Sequence, residues 1–430
     1  MSLEKSCIEY FKSDKGFKRL FEGIREKYRS LGSLGGTVVI NNLTQDEREA
    51  LSGLFKKDYY SRKSASIKVE KLVKALEDTR FSGVDFERVL MGYFGEELIS
   101  KRKERDIYEL EKSSFFDEIL YSFQGTRSWK WLKSILESRD NAYRMILQKY
   151  DRERESLKEA LILTMKALNE LTFNERNATR LALFSSKISR NPHTFDMDRN
   201  CGRLLMYGIS YFLGIQYPKG AEDKAEALYS AGIIADEISN YTAISGLLAY
   251  RNGKVHRGWE GFYSLGEPLQ VSLWNLSEID YILSPSGKIF VFENPTVFSE
   301  VLYSTREKRP PLVCTCGQIK LASLVLLDRI IDNVDYIYYS GDFDPEGLLI
   351  ADRLKKRYGE KLVLWRYSIE DYEGIKSNEV LEEIRLKKLD NLKSPELKTL
   401  GEHIRNKGLA AYQELLTDRY IEDINKYMSG

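Results

Sequence analysis

Four short apolar runs in the last third of the chain have the length and composition of buried β-strands. They span residues 288–292, 311–315, 336–340 and 362–366. Helical periodicity follows the second and third runs, over residues 319–331 and 348–358. Strands that alternate with helices predict a parallel sheet covered by helices, and in such sheets ligands bind beyond the carboxyl ends of the strands.

The rest of the chain divides into three segments of different character. Residues 35–76 contain two strand-then-helix patterns, the first with a Thr44-x-x-Glu47 capping box. Between residues 95 and 190 proline is absent, charged residues are dense, and apolar residues recur at helical spacing from Leu157 to Leu171. The following residues mix short strands with helix. The chain is therefore predicted to have four parts, namely an N-terminal α/β domain at 1–94, a helical arm at 95–190, a winged-helix-like module at 191–270 and an α/β domain at 271–430.

The overall charge is almost balanced, with 66 Lys and Arg against 65 Asp and Glu in 430 residues. This balance excludes an acidic tail or a uniformly basic coat for nucleic acid. Residues 1–270 carry 44 basic and 39 acidic side chains, a net +5, and residues 271–430 carry 22 and 26, a net −4. Such small excesses do not support long-range steering of DNA, so delivery by partner proteins would matter more.

Targeting and cysteine patterns point to a cytoplasmic protein without a membrane segment. The N-terminus runs directly into charged sequence, and the longest apolar stretches fall far below the roughly 18–20 residues that a membrane span needs. Four cysteines are too few for a disulfide framework. Cys314 and Cys316 form a C-x-C pair, but three histidines and no second cysteine pair make a zinc site unfavourable.

Acidic residues follow two of the predicted strands. Glu293 follows the first strand, and Asp342 and Asp344 follow the third, two positions apart in a loop that Pro345 and Gly347 shape. Two carboxylates about 4 Å apart repel by roughly 4 kcal/mol at an effective dielectric of 20, so a counter-charge is required. Hard oxygen ligands suit Mg²⁺ or Mn²⁺, which also accept substrate phosphates.

The order of these motifs resembles a Toprim domain, the metal-binding fold of topoisomerases, bacterial primases and related nucleases. In that family a Glu and an Asp-x-Asp bind catalytic magnesium, which the resemblance carries over to Glu293, Asp342 and Asp344. The Asp-x-Asp-Pro-x-Gly form is most similar to the A subunit of topoisomerase VI. The implied fold is a Rossmann-like parallel sheet with helices on both faces.

A narrower resemblance is to the Toprim subunit of Wadjet anti-plasmid systems, the JetD-type nuclease. It is carried by residues 292–295, 313–318 and 341–344, and upstream by stretches at 191–196, 230–237 and 266–269. It implies a homodimeric endonuclease that cuts double-stranded plasmid DNA by two-metal chemistry with Mg²⁺ or Mn²⁺. It also implies SMC-like ATPase, kleisin-like and accessory partner subunits. No G-x-x-x-x-G-K-[ST] phosphate loop occurs in these 430 residues, so ATP chemistry would come from another polypeptide.

Further candidates and two departures accompany this resemblance. Gly317 and Gln318, at a strand-to-helix turn, are candidate contacts for a DNA phosphate, and Glu414 and Glu346 are candidate additional acids. Related chains usually have Asn where this one has Cys316, and an apolar residue where it has Glu346. The second departure adds an acid beside the expected metal.

Two other functions remain open from the sequence. A phosphatase of the haloacid-dehalogenase type also places an Asp-x-Asp after a strand, but it would leave the upstream Glu293 unexplained. A non-catalytic DNA-binding or scaffold subunit with a vestigial Toprim fold is the second alternative, against which the intact acidic set argues.

Overall fold

The structure is a computed structural model that describes residues 2–173 and 178–429. It divides into two compact units, Met1–Gln124 and Gly125–Gly430. The division falls inside residues 95–190, which the sequence pattern assigned to one helical arm, and the four-part domain organisation stays a prediction. Among the described residues, no helix has both the length and the apolar character needed to cross a membrane.

The first unit is an α/β unit built on an antiparallel strand pair. The pair aligns Val38 with Ile67. The capping box predicted at the start of the third helix is present, with Thr44 and Glu47 each accepting a backbone hydrogen bond from the other. Its helices and strands are α1 (Leu3–Ser13), α2 (Lys18–Leu31), β1 (Thr37–Asn41), α3 (Gln45–Phe55), β2 (Ser64–Lys68), α4 (Val69–Glu77), α5 (Phe86–Phe94) and α6 (Lys101–Ser122).

The second unit begins with helices, and the strands follow from residue 179 onward. Its first part contains α7 (Arg127–Ser138), α8 (Asn141–Arg152), α9 (Arg154–Glu170), β3 (Thr179–Arg180), α10 (Leu181–Ser189), α11 (Asn200–Leu213), α12 (Ala221–Ser230), β4 (Ile233–Ile234), β5 (Tyr241–Ser245), β6 (Leu248–Arg251), β7 (Lys254–Val255), α13 (Arg257–Leu265), β8 (Leu269–Ser272) and α14 (Leu273–Ser277). The helix predicted from residue 157 onward is α9, whose apolar residues lie in the core.

The last part of the chain confirms the predicted alternation of strands and helices. It contains β9 (Tyr281–Leu283), β10 (Lys288–Phe292), α15 (Pro295–Thr305), β11 (Leu312–Cys314), α16 (Leu321–Ile330), β12 (Tyr336–Ser340), α17 (Pro345–Tyr358), β13 (Leu362–Leu364), α18 (Ile369–Ile375), β14 (Lys376–Val380), α19 (Glu383–Leu386), α20 (Pro395–Lys407), β15 (Leu409–Ala411) and α21 (Thr417–Tyr427). The four predicted strands are β10, β11, β12 and β13.

These four strands lie in one six-stranded sheet, in the order β13-β12-β10-β11-β5-β8. The central strand β10 pairs in parallel with β12 on one side and β11 on the other, and β13 is parallel to β12. Residues 289–292 of β10 are completely buried, which explains their uninterrupted apolar sequence. Because the three central strands run in the same direction, the residues that follow them meet at one edge of the sheet.

The four predicted strands are parallel to one another, as expected, but the sheet as a whole is mixed because two further strands join it at one side. β5 is antiparallel to β11, and β8 is antiparallel to β5. β5 comes from the segment assigned to the winged-helix-like module, and β8 crosses the end of that segment at residue 270. The pairing of β5 with β11 spans about 70 residues and leaves no mark on the local pattern of a five-residue strand, so sequence periodicity did not reveal it.

The remaining strands form small sheets. β6 pairs with β7 and β9 in an antiparallel three-stranded sheet, and β3 pairs in parallel with β4. β14 and β15 form an antiparallel pair, and one further bridge joins Ala411 to Phe343, just after β12. This bridge brings the residues that follow β15 to the carboxyl edge of the large sheet.

Candidate functional site

Glu293 lies directly after β10, and its backbone is held between the two neighbouring strands. Its N–H donates to the carbonyl of Ser340, at 3.3 Å, and its carbonyl accepts from the N–H of Gly317, at 2.9 Å. Its side-chain atom Oε2 is buried and has no hydrogen-bond partner. A buried carboxylate oxygen without a partner is energetically costly, so this atom is available for a ligand.

The surroundings of Glu293 favour its protonated form. Burial raises the pKa of Glu293 to about 8, and the negative charges of Asp342 and Asp344 add to the rise, while a backbone hydrogen bond from Asp342 opposes it. These interactions place the three acids close enough to act on one another electrostatically. The three acids thus lie at the same sheet edge, near enough for the charges of both aspartates to act on Glu293.

Hydrogen bonds from two residues later in the chain, Tyr367 and Gln413, fix the position of Asp342. Its Oδ1 accepts a 2.9 Å hydrogen bond from the N–H of Gln413, and its carbonyl accepts one of 2.8 Å from the hydroxyl of Tyr367. Burial raises its pKa to about 6; the bond from Gln413 lowers it, and the charges of Glu414 and Asp344 raise it. Two of the three acids thus have pKa values shifted toward neutrality, as is common in functional sites.

Asp344 has both carboxylate oxygens occupied. It is the N-cap of α17, where Oδ1 accepts from the N–H of Gly347 at 2.8 Å. Its Oδ2 lies 2.5 Å from Nη2 of Arg385. Pro345 at the first helical position and an acid at the N-cap are the standard start of a helix, which accounts for part of this motif without a metal.

Close contacts require two glycines after β12, namely Gly341 in the loop and Gly347 in the first turn of α17. A Cβ on Gly341 would lie 2.7 Å from Oε2 of Glu293 and 2.9 Å from the hydroxyl of Tyr339. A Cβ on Gly347 would lie 2.3 Å from the carbonyl oxygen of Asp342. The glycines therefore allow the acidic loop to pack directly against Glu293 and against the start of α17.

The other predicted site residues surround this centre. Glu414 accepts a 2.7 Å hydrogen bond from Nδ2 of Asn294, and its charge acts on Asp342. Gly317 contacts the backbone of Glu293, and Gln318 follows it on the exposed surface. Glu346 points to Arg385 and Lys388 rather than to the other acids.

Several residues of the site were not predicted from the sequence. They are Asn294, Tyr339, Tyr367, Arg385 and Gln413. Gln413 is completely buried, and its Oε1 accepts from the N–H of Asn294 at 3.2 Å. Asn294 precedes Pro295 as the N-cap of α15, a local pattern that was recognisable. Arg385 contacts Asp344 across 41 residues, and Gln413 contacts Asp342 across 71 residues, so no local sequence pattern indicates either contact.

The donor set suits a hard divalent cation, although the carboxylates are not arranged as a closed metal cluster. Within residues 2–173 and 178–429, no three His, Cys, Asp or Glu side chains converge closely enough to hold a metal ion. The unpartnered Oε2 of Glu293 and the oxygen-only ligands fit Mg²⁺ or Mn²⁺. The ion pair with Arg385 holds Asp344 away from that role.

Two family profiles match the chain. The profile described as "Protein of unknown function N-terminus (DUF3323)" matches residues 34–249. The profile described as "Protein of unknown function C-terminus (DUF2399)" matches residues 269–424, a range that contains all the candidate site residues. No curated protein matches the chain.

Proposed function

The chain belongs to the DUF3323 family and carries a DUF2399 C-terminal region, and from this membership we propose that it is the DNA-cleaving subunit of a Wadjet-type plasmid defence complex. This pair of domains is characteristic of JetD-like proteins. The proposed activity is metal-dependent hydrolysis of double-stranded DNA by a Toprim-type site in the second unit.

One observation carries the proposal: Glu293, Asp342 and Asp344 follow the parallel strands β10 and β12 at one sheet edge, where Oε2 of Glu293 is buried and has no hydrogen-bond partner. Bound Mg²⁺ or Mn²⁺ would supply positive charge to the scissile phosphate and lower the pKa of an attacking water. The three acids would hold the ion, and Glu293 and Asp342, whose pKa values are raised, would lose their protons as it binds. Gln413 and Tyr367 fix the orientation and backbone of Asp342.

The tyrosines at the site support hydrolysis rather than transfer of DNA to a tyrosine. Tyr339 is completely buried, and burial raises the pKa of its hydroxyl well above the ordinary value. Tyr367 is buried and its hydroxyl donates to Asp342, while a hydrogen bond to Glu379 raises the pKa of Tyr412 to about 12. None of these hydroxyls is set up as a nucleophile.

The remaining features of the proposal concern assembly. We propose that the chain acts as a homodimer, with one site for each DNA strand, and that SMC-like ATPase, kleisin-like and accessory subunits deliver the DNA. The absence of a phosphate loop from this sequence and the weak overall charge support dependence on such partners.

The experiment compares cleavage of circular and linear DNA in Mg²⁺ or Mn²⁺, with and without an SMC-type partner complex. Asp342→Asn should abolish cleavage, whereas Glu300→Gln, a change of an exposed acid on α15, should leave it intact. Failure of the wild type to cleave in every condition, or full activity of Asp342→Asn, would overturn the proposal. DNA binding without cleavage would favour the scaffold alternative, and hydrolysis of a small phosphomonoester would favour the phosphatase.

A further inference from the structure

Arg385 lies between two acids of the candidate site and pairs with both. Its Nη2 is 2.5 Å from Oδ2 of Asp344 and 2.7 Å from Oε2 of Glu346, and its Nε lies 3.1 Å from the same oxygen of Glu346. The other oxygen of Glu346 accepts from Nζ of Lys388 at 2.6 Å. Glu346 therefore pairs with two basic side chains, those of Arg385 and Lys388. Arg385 is shared between Glu346 and Asp344, a predicted metal ligand.

The backbone that carries Arg385 is anchored. Leu386, the next residue, accepts a 3.3 Å hydrogen bond on its carbonyl from Arg405, and Leu389 and Leu392 are buried in the core. The side chain of Arg385 itself is 30% exposed. A fixed backbone with a partly exposed guanidinium allows the side chain to change partners without a change of fold.

This arrangement places Arg385 in competition with a metal ion. Oδ1 of Asp344 is committed to the N-terminus of α17, so a cation shared with Glu293 and Asp342 must take Oδ2 from Arg385. We propose that Arg385 exchanges partners at this site: it occupies Asp344 until a divalent cation enters, and then binds a phosphate oxygen of DNA while Glu346 retains it. The inference rests on the proposed function and adds a residue that contacts the DNA substrate.

Glu346 is what keeps Arg385 at the site after the exchange. A guanidinium has five N–H donors, and Glu346 engages only those on Nε and Nη2. The donors released from Asp344 remain beside the acidic loop, where a phosphate bound to the metal would lie. Planar, paired donors suit phosphate oxygens better than the point charge of lysine does.

The first test measures Mn²⁺ affinity of the full chain without DNA, by electron paramagnetic resonance or calorimetry. Arg385→Gln should tighten Mn²⁺ binding about tenfold, because it removes a charge-assisted hydrogen bond that competes for Asp344. Lys388→Gln is the matched control: it removes a positive charge from the same cluster but leaves the pair with Asp344 intact. If both variants bound Mn²⁺ more tightly by the same factor, the cause would be the loss of any nearby positive charge. That result would overturn the proposed competition between Arg385 and the metal for Asp344.

The second test uses Glu346. Glu346→Gln should weaken Mn²⁺ binding, because Arg385 then has Asp344 as its remaining partner in the cluster. This weakening should disappear when Arg385→Gln is present, a coupling that a double-mutant cycle measures. If Glu346→Gln weakened Mn²⁺ binding equally with and without Arg385→Gln, the proposal that Glu346 keeps Arg385 at the site would be overturned.

The outcomes separate this inference from the proposed function. If the wild type binds no Mn²⁺, or if Asp342→Asn binds it as tightly as the wild type, the proposed nuclease site and the Arg385 exchange are both wrong. If binding depends on Asp342 but Arg385→Gln leaves it unchanged, the metal site stands and the exchange fails.

The phosphate contact has its own readout. DNA binding is measured against salt concentration in Ca²⁺ in place of Mg²⁺, with recovery of intact DNA as a check. Arg385→Gln should reduce the slope of log affinity against log salt by about one, as expected for the loss of one phosphate contact. An unchanged slope would overturn the phosphate contact.

Discussion

The backbone N–H of Gln413 donates a 2.9 Å hydrogen bond to Oδ1 of Asp342, although the two residues are 71 positions apart. The same glutamine accepts from the N–H of Asn294 through its side chain. One buried residue after β15 thus connects the loops that follow β10 and β12. The relative position of Glu293 and Asp342 depends on this connection as well as on the pairing of the strands.

Gln413→Ala should separate the backbone hydrogen bond of Gln413 to Asp342 from its side-chain hydrogen bond to Asn294. The backbone bond to Asp342 would persist, but the N–H of Asn294 would lose its partner in a partly buried environment, at a cost of about 1 kcal/mol in unfolding free energy. Urea unfolding followed by tryptophan fluorescence reports on this unit, because all 5 tryptophans lie after residue 124. Gln216→Ala, on an exposed loop, is the control and should leave the midpoint unchanged.

The raised pKa of Glu293 predicts that the metal-free second unit loses stability as pH rises. The folded state binds the proton with a pKa of about 8 and the unfolded chain with an ordinary one near 4.3, so the folded state holds more protons between these values. Unfolding free energy should therefore fall from pH 5 to pH 8, by an amount on the order of 1–3 kcal/mol. Asp342, with its pKa of about 6, adds to the fall at the acidic end of that window.

The variants Glu293→Gln and Glu300→Gln check this pH dependence. Glu293→Gln cannot ionise, so its unfolding free energy should vary less between pH 5 and pH 8, whereas Glu300→Gln should follow the wild type. Added Mn²⁺ should restore the lost stability at pH 8 more than at pH 5, because protons compete with the metal for the same oxygens. If the unfolding free energy of Glu293→Gln changed with pH as steeply as that of the wild type, groups other than Glu293 would cause the pH dependence.

Gly341→Ala should damage the site by crowding. The new Cβ would lie 2.7 Å from Oε2 of Glu293 and 3.1 Å from the hydroxyl of Tyr367, so these groups must shift, at a cost of about 1–3 kcal/mol. DNA cleavage and Mn²⁺ binding should both fall. Gly261→Ala in α13 has nothing within 4 Å of the new atom and replaces a helical glycine, so it should be neutral or stabilising.

The positions of the candidate acids were predictable from sequence because they follow strands with a recognisable apolar or aromatic run. Residues 289–292 are fully buried and Glu293 is the next residue, so the end of the apolar run also marks the start of the site. Parallel pairing of β10 and β12 then brings Asp342 and Asp344 to the same edge without any further information. This is why the order of strands and acids, together with the resemblance to a Toprim domain, grouped three residues from two distant segments.

The partners of these acids were not predictable, because they depend on contacts between distant segments. Arg385 lies on the four-residue helix α19, and its neighbours are ordinary charged residues with no distinctive spacing. Gln413 follows β15, which pairs with β14 and with Phe343. The same limit explains β5, whose antiparallel place in the sheet depends on a partner about 70 residues away.

Replacement of the tyrosines at the site should leave DNA cleavage intact if hydrolysis needs no protein nucleophile. Tyr339→Phe removes a buried hydroxyl that has no hydrogen-bond partner, so unfolding free energy should stay the same or rise. Tyr412→Phe removes the bond to Glu379 at the surface and should cost at most about 1 kcal/mol. Radiolabelled DNA, denatured in detergent after the reaction, should carry no attached protein in the wild type. A covalent adduct that either substitution abolishes would show a topoisomerase-like tyrosyl intermediate instead.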